Sequence, residues 1–490
     1  MPEQAFPYIS LMILSLPLAA VLIWLLDASR ARWVALCAAL FDLLLALGLL
    51  SAFDSSVGGF QFVETASWIP TLNINYQMGV DGLSVLFLPL TTLLFLGVVV
   101  VSWNSIRSMP QLYYILLLLL ETATLGIFTS LDTIVFFLFW EMSLIPSYFL
   151  ISLWGIGPNR RFAATKYTMH MLIGGVPLLF GFVLLAINQG DAGLVFNYLS
   201  LLENPLSAEL QGTIFLLMLA GFAVKTPVFP LHTWLPTVAM EGPVGLTAIL
   251  LGIKLGAYGL LRFAIPLAPD AAQEFHWLLA GLGVIGILYG ALMAVAQTNL
   301  RRMLAFSSIS HVGLVLLGLA SFNIEGIQGA LFALLNFTVV SGGLVLLTAM
   351  LHHRIGSNEV LNLGGVATSM PLLAAFFFLF GLASLGIPGT NGFPAEFLII
   401  LSALKTHTGA GLAALFGIVL SAGYLLAYYR RAFYGPVKSS VVAEAMDLRG
   451  RELLLVTVFA LIILITGLYP SAVLDITRTA AEAWVESVGH

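Results

Sequence analysis

The stretch Gly221-Phe-Ala-Val-Lys225-Thr-Pro227-Val-Phe-Pro230-Leu-His232-Thr-Trp-Leu-Pro236 places a lysine inside an apolar run that three prolines interrupt. Each proline lacks an N–H and disfavours regular helix behind it, so no straight helix passes through this segment. Within a membrane, an interrupted helix is tolerated only where the freed carbonyls are satisfied by protein or by water. A charge at that depth costs about 3 kcal/mol or more, and such residues usually face a pathway or a partner. Read alone, the segment is also compatible with a structural kink whose lysine snorkels to the interface.

Composition decides the setting. The chain has 490 residues, of which 60% are hydrophobic and only 9% charged, against roughly 25% charged in soluble domains. It reads as an integral membrane protein. The formal charge of -5 is spread thinly without a basic block, which argues against a nucleic-acid partner. The lone Cys37 excludes an intrachain disulfide and any cysteine-based zinc or iron–sulfur site. The first apolar run, from about residue 7 to 26, is too long for a signal h-region and reads as a retained helix.

Apolar runs long enough to span about 30 Å of hydrocarbon number fourteen. The expected fold is therefore all-α and polytopic. The run 370–404 is too long for one crossing and is broken around Gly386, Pro388, Gly389, Gly392 and Pro394, so helices seven and twelve are both expected to be interrupted. Between the second and third runs, residues 53–80 alternate as in Thr71-Leu-Asn-Ile-Asn-Tyr76 and predict a short external hairpin. The segment 189–211, containing Asp191, reads as an external loop, and the tail beyond Pro470 as a short amphipathic helix.

The two broken helices lie five spans apart, and each carries an ionisable residue near its break, Lys225 and Glu396. An odd offset makes them cross in opposite directions. Two inverted five-helix repeats follow, over residues 111–265 and 275–433, flanked by helices one to three with the hairpin (1–110) and by helix fourteen with the tail (434–490).

Other polar residues at membrane depth extend the pattern. Glu141, in Phe136-Phe-Leu-Phe-Trp-Glu141-Met-Ser-Leu-Ile-Pro146, needs a cation nearby to carry charge, and Lys225 is the candidate. Lys254 lies mid-span between Gly252 and Gly256, which leave space for water. His311 follows three serines in Ser307-Ser-Ile-Ser that can orient its ring and carry a proton wire. Glu396 follows the second break, either centrally or near the external mouth. Asp81 and Asp132 read as interfacial caps, Glu121 is harder to explain that way, Asp42 faces an undetermined surface, and His232 is placed to bridge two axes. His352, His353 and Arg354 read as a loop. Carboxylate, lysine, lysine, histidine and carboxylate on five spans form a polar axis suited to proton movement.

Six stretches, among them Met78-Gly-Val-Asp81-Gly-Leu-Ser84, Phe139-Trp-Glu141-Met, Phe222-Ala-Val-Lys225-Thr-Pro, Lys254-Leu-Gly-Ala-Tyr258, Ser307-Ser-Ile-Ser-His311-Val-Gly and Gly386-Ile-Pro-Gly-Thr-Asn-Gly-Phe-Pro-Ala-Glu396, resemble in order the antiporter-like M chains of proton-translocating NADH:quinone oxidoreductase, respiratory complex I. The resemblance covers nearly the whole chain. It implies fourteen helices in two inverted repeats, a Glu141–Lys225 pair in the first half-channel, Lys254 as the connecting residue, and His311 and Glu396 in the exit half. Pro227, Pro230, Pro388 and Pro394 shape the breaks. It further implies that NADH, FMN, iron–sulfur clusters and quinone belong to partner subunits, with no cofactor or metal in this chain. Other antiporter-like and small membrane-arm subunits would be its partners, in a bacterial inner or equivalent energy-transducing membrane. Asn336 stands where relatives often place a titratable histidine, and the segment 237–246 departs from the usual histidine- and alanine-rich sequence. Ferredoxin- or hydrogenase-linked complexes and multisubunit sodium/proton antiporters share the fold, as would a structural scaffold with a degenerate channel.

Fourteen of the 19 basic residues, from Arg30 to Arg451, fall on loops after odd-numbered spans, whereas only Arg262, Lys405 and Arg478 follow even ones or the tail. By the positive-inside rule both termini face away from the cytoplasm. A reporter fused after His490 is expected to be active only in a periplasmic form, and activity confined to a cytoplasmic reporter would reverse the assignment.

Overall fold

The computed structural model describes residues 6–189 and 193–489, so Asp191 lies outside the described residues. The chain is mostly helical, and twelve helical segments among the described residues are long and apolar enough to cross a membrane. Two shorter apolar helices, Phe87–Ser102 and Pro371–Ser384, accompany them.

Helices α1 (Tyr8–Leu25) and α2 (Ala31–Ala52) lead into an antiparallel hairpin of β1 (Gln61–Ile69) and β2 (Ile74–Val80), as the alternation predicts. Asn73 turns the hairpin at φ +54°, a left-handed conformation that Asn adopts more readily than most residues. Glu64 on β1 accepts from the N–H groups of Ile9 and Ser10, both at 2.9 Å, placing a carboxylate at the positive end of α1. Helices α3 (Phe87–Ser102) and α4 (Pro110–Thr129) follow. Asp132 caps α5 (Thr133–Met142), accepting from Ile134 N at 2.9 Å and Val135 N at 3.2 Å, and also takes Asn75 N at 3.1 Å. This cap pins the hairpin to α5.

The fifth span does not run straight. It divides at Ser143 into α5 and α6 (Leu144–Trp154), before α7 (Arg160–Ile187). The expected loop 189–211 contains a short helix, α8 (Tyr198–Glu203). The seventh span stops at Lys225: α9 (Ala208–Lys225) and α10 (Trp234–Glu241) flank eight non-helical residues that hold Pro227 and Pro230. Its freed carbonyls find donors inside the protein, Ala223 O from Val228 N at 3.0 Å and Val224 O from Trp234 Nε1 at 2.9 Å. The eighth span is interrupted as well, between α11 (Val244–Gly252) and α12 (Leu255–Gly259), with no proline at the break. A π turn over Leu260–Ala264 follows.

After α13 (Pro269–Glu274) come α14 (His276–Val295), α15 (Leu300–Leu319), α16 (Ile324–Asn336), a π turn over Phe337–Ser341, and α17 (Gly342–Ile355). His352, His353 and Arg354 close α17 instead of forming a loop. Past α18 (Val366–Ser369), the twelfth span is broken between α19 (Pro371–Ser384) and α20 (Gly392–Thr406). Pro388 lies in the link, and Pro394, third residue of α20, falls where a missing N–H is tolerated. Helices α21 (Thr408–Phe433), α22 (Ser440–Ala443), α23 (Gly450–Leu468) and the amphipathic α24 (Ser471–Val488) complete the chain. Trp484 anchors α24, donating to Leu261 O at 2.8 Å.

Two expectations are corrected here. Arg262 is not a loop residue; it is 4% exposed and bidentate on Asp81, with Nη1 at 2.7 Å from Oδ2. Asp81, besides capping Leu83 N and Ser84 N at 3.1 Å, is thus one half of a buried ion pair joining the start of α3 to the eighth span. Asp81→Asn leaves the guanidinium without its counter-charge and should destabilise the chain by about 3–5 kcal/mol. Adding Arg262→Gln should restore part of the loss in a detergent unfolding measurement, and strictly additive effects would contradict the pair.

Candidate functional site

The interrupted helices bring four of the five axis residues against backbone breaks. Lys225, the last residue of α9, sends Nζ to Ser143 Oγ at 2.8 Å and Trp140 O at 3.2 Å, and lies 4.0 Å from the Trp140 ring centre. Ser143 is the break of the fifth span, and Pro146 lacks the N–H that a regular helix would direct at Met142. A cavity of about 20 Å³ adjoins Lys225, lined also by Ser143, Ser147, Tyr167, Leu250 and Ile253. That is enough for a water molecule.

Glu141 is not in ion-pair contact with Lys225; among the described residues no charged atoms of the two lie within 4.0 Å. Its carboxylate rests instead on Gly175 of α7, where a Cβ would come within 2.3 Å of Oε1. The two therefore make no direct ion pair in this conformation, although they are near enough for each to feel the other's charge. The break at Ser143 gives Lys225 a carbonyl and a hydroxyl instead.

Lys254 occupies the interruption of the eighth span, where backbone φ and ψ of -104° and 65° leave the helix. It donates to Leu250 O at 3.0 Å, and Leu250 also lines the Lys225 cavity. Thr338 takes up the Gly252 carbonyl at 3.3 Å. Gly256 is required there, since a Cβ would meet Phe222 O at 2.4 Å. On the far side, the Phe337 ring centre is 5.7 Å from Lys254 Nζ and 6.1 Å from the His311 ring.

His311 reaches the second break. Its Nε2 is 3.0 Å from Ser384 O, the last residue of α19, and 3.9 Å from Glu396 Oε1. Its Nδ1 is 3.4 Å from Ser307 Oγ, which accepts from Tyr424 OH at 2.7 Å. His311, Asn336, Phe337, Ser384 and Glu396 face one cavity of about 40 Å³, again room for water. Glu396 therefore lies beside His311, not at the external mouth. Gly386, at φ +61°, cradles Glu396 Oε2, and a Cβ would fall 2.3 Å from it. Asn336 donates to Asn391 O at 2.6 Å.

The remaining candidates stand apart from both cavities. His232 is stacked on Phe229 at 5.6 Å and set edge-on to Tyr289 of α14 at 5.0 Å; its Nδ1 has no partner. Glu121 on α4 is fully buried, both its carboxylate oxygens lack partners among the described residues, and Asp42 is a titratable neighbour. Asp42, also fully buried, accepts from Ser15 Oγ at 3.3 Å. Asp132 serves as the cap described above. Sequence reasoning missed Trp140, Ser143, Ser384 and Tyr424. Only Pro146, in the turn after Ser143, signalled the first of these contacts.

Residues 130–421 match the family model described as NADH:quinone oxidoreductase/Mrp antiporter, TM. The chain is 35% identical over 489 residues to NADH-quinone oxidoreductase subunit M of Rickettsia bellii (strain RML369-C), covering 97% of this chain and 98% of that one. It is 37% identical over 502 residues to NAD(P)H-quinone oxidoreductase chain 4 1 of Synechococcus elongatus, covering 99% and 93%. Among solved structures, a chain of respiratory complex I from Thermus thermophilus with bound NADH superposes with a TM-score of 0.91 at 32% identity, over 98% of this chain and all of that one. The Mrp complex from Dietzia sp. DQ12-45-1b contains a chain of the same fold, with a TM-score of 0.85 at 22% identity. Matched over more than half its length by the family model and nearly end to end by these relatives, the chain belongs to the NADH:quinone oxidoreductase/Mrp antiporter transmembrane family.

Proposed function

We propose that this chain is a proton-translocating subunit of a multisubunit, redox-driven membrane complex of the NADH:quinone oxidoreductase type. Fourteen crossings, counting the two shorter apolar helices, would arrange as two inverted five-helix halves, 111–265 and 275–433, with both termini on the side away from the basic loops. NADH, FMN, iron–sulfur clusters and quinone would reside in other subunits, and other antiporter-like chains would adjoin this one. Protons would pass along Glu141, Lys225, Lys254, His311 and Glu396.

The reading is carried by one observation: a histidine and a carboxylate 3.9 Å apart share a water-sized cavity at the break of the twelfth span, with Phe337 between them and Lys254. Lys225 and its own cavity adjoin the turn that accepts from Lys254. Glu141, held on Gly175, supplies the switch. Two protonated lysines repel, so charging Lys254 discharges Lys225 unless Glu141 swings toward it. The alternative is a subunit of a multisubunit sodium/proton antiporter, which the breadth of the family model and the likeness of fold to the Mrp complex support.

Lys254→Arg keeps the charge but replaces a group that can release its proton by one that stays protonated. Proton pumping in reconstituted vesicles should fall almost as far with Arg as with Lys254→Met. Rescue by Arg would mean that only a fixed charge is needed. Gly175→Ala tests the Glu141 seat, because alanine favours helix by about 1 kcal/mol yet displaces the carboxylate. Pumping should drop severalfold with stability retained, and unchanged pumping would remove Gly175 from the mechanism.

A further inference from the structure

On the face carrying the basic loops, the C-terminal ends of α3 and α17 meet the start of α23 around a cavity of about 660 Å³. Arg107, Arg354, Arg449 and Arg451 line it, against only Glu444 and Glu452. Arg354 spends its charge on Glu452 at 2.5 Å. No carboxylate lies within 4.0 Å of the guanidinium nitrogens of Arg107, Arg449 or Arg451 among the described residues, although Glu452 also accepts from the Arg449 backbone N–H at 2.8 Å. Asn104 organises two of them: with its amide turned so that the oxygen faces the guanidinium groups, it accepts from Arg449 Nη1 at 2.9 Å and Arg451 Nη2 at 2.8 Å. Each guanidinium carries five N–H donors, so this contact leaves most of them free.

A second cluster of cations adjoins the first. Arg32 and Arg451 both lie over the Trp103 ring, at 5.1 and 5.7 Å from its centre, and among the described residues the Nε of each is buried without a partner. Like charges gathered around one indole with unspent donors call for an anion. We propose that this pocket binds the phosphate headgroup of an anionic phospholipid.

A phosphate accepts several N–H donors at once, and arginine forks match its geometry. Basic pockets between membrane helices at the interface suit lipid headgroups. Two features favour lipid over phosphate from solution. Trp33 packs edge-on against Trp103 at 4.7 Å and is 56% exposed beside the pocket, as aromatic side chains at headgroup level are. Directly beyond Arg451, α23 turns Leu454, Leu461 and Ile465 outward, an exposed apolar stripe along which acyl chains can lie.

The test is native mass spectrometry of the protein extracted from its membrane with whatever chains accompany it, followed by addition of phosphatidylglycerol, phosphatidylcholine or inorganic phosphate. The unaltered protein should retain phosphatidylglycerol in preference to phosphatidylcholine, and inorganic phosphate should not displace it. Arg449→Gln with Arg451→Gln should lower retention on the order of tenfold or more, and Arg107→Gln, whose exposed side chain makes no hydrogen bond among the described residues, should lower it severalfold. Arg302→Gln, on the same face outside the pocket, should change nothing. Equal retention of the two lipids overturns the proposal, as does full retention by the Gln variants. Displacement by inorganic phosphate assigns the site to a soluble anion, and cross-linking of Arg449 to an acidic segment of an accompanying chain assigns it to protein; either result also overturns it.

Discussion

Inside a bilayer no water competes for a carbonyl that has lost its helical N–H, so every break in a spanning helix must be closed by a donor from elsewhere in the protein. In this chain the donors at three breaks are titratable side chains. Lys225 closes on Trp140 O beside the break of the fifth span, Lys254 folds back onto Leu250 O at the break of the eighth, and His311 takes Ser384 O at the break of the twelfth. The same bonds that make the interruptions tolerable also fix the spacing of the axis. At Lys254 and His311 the same side chain thus serves the backbone and sits on the proposed path, whereas Lys225 shares Trp140 O with Ser143 Oγ, which donates at 2.7 Å.

Carboxylates are treated differently from these cations. Glu141 and Glu396 each lie against a glycine, Gly175 and Gly386, where any Cβ would come within 2.3 Å of an oxygen. Neither is anchored by an arginine. A carboxylate resting on a glycine is held by shape more than by charge, and it can move without first breaking a bidentate pair. Asp81, by contrast, is gripped by Arg262 and by three donors around Ser84, which suits a joint between the hairpin end and the eighth span.

Much of this was readable in the residues. Proline and glycine marked the seventh and twelfth breaks, alternation marked the hairpin, and isolated Glu, Lys and His residues at membrane depth marked the axis. The breaks at Ser143 and Lys254 were not legible. At Ser143 the only local mark is Pro146, and at Lys254 there is none stronger than two glycines, because that break is stabilised by Thr338 from 86 residues away. For the same reason Arg262 looked like a loop cation: its partner Asp81 is 181 positions distant. That Glu141 and Lys225 make no direct ion pair among the described residues was equally hidden.

The eighth span carries both kinds of buried cation two turns apart, and the contrast bears on the relay proposed for Lys254. Arg262 meets a full negative charge through a rigid fork and is surrounded by Phe60, Tyr198 and Tyr258. Its protonation is fixed by chemistry and its position by geometry. Lys254 meets only a backbone carbonyl and the Phe337 ring. It has no opposite charge within 4.0 Å among the described residues, so on the proposed reading its charge would be free to respond to the charges at neighbouring sites. A helix that anchors one end with arginine and leaves lysine at its own break has the rigid and the responsive element in a single span.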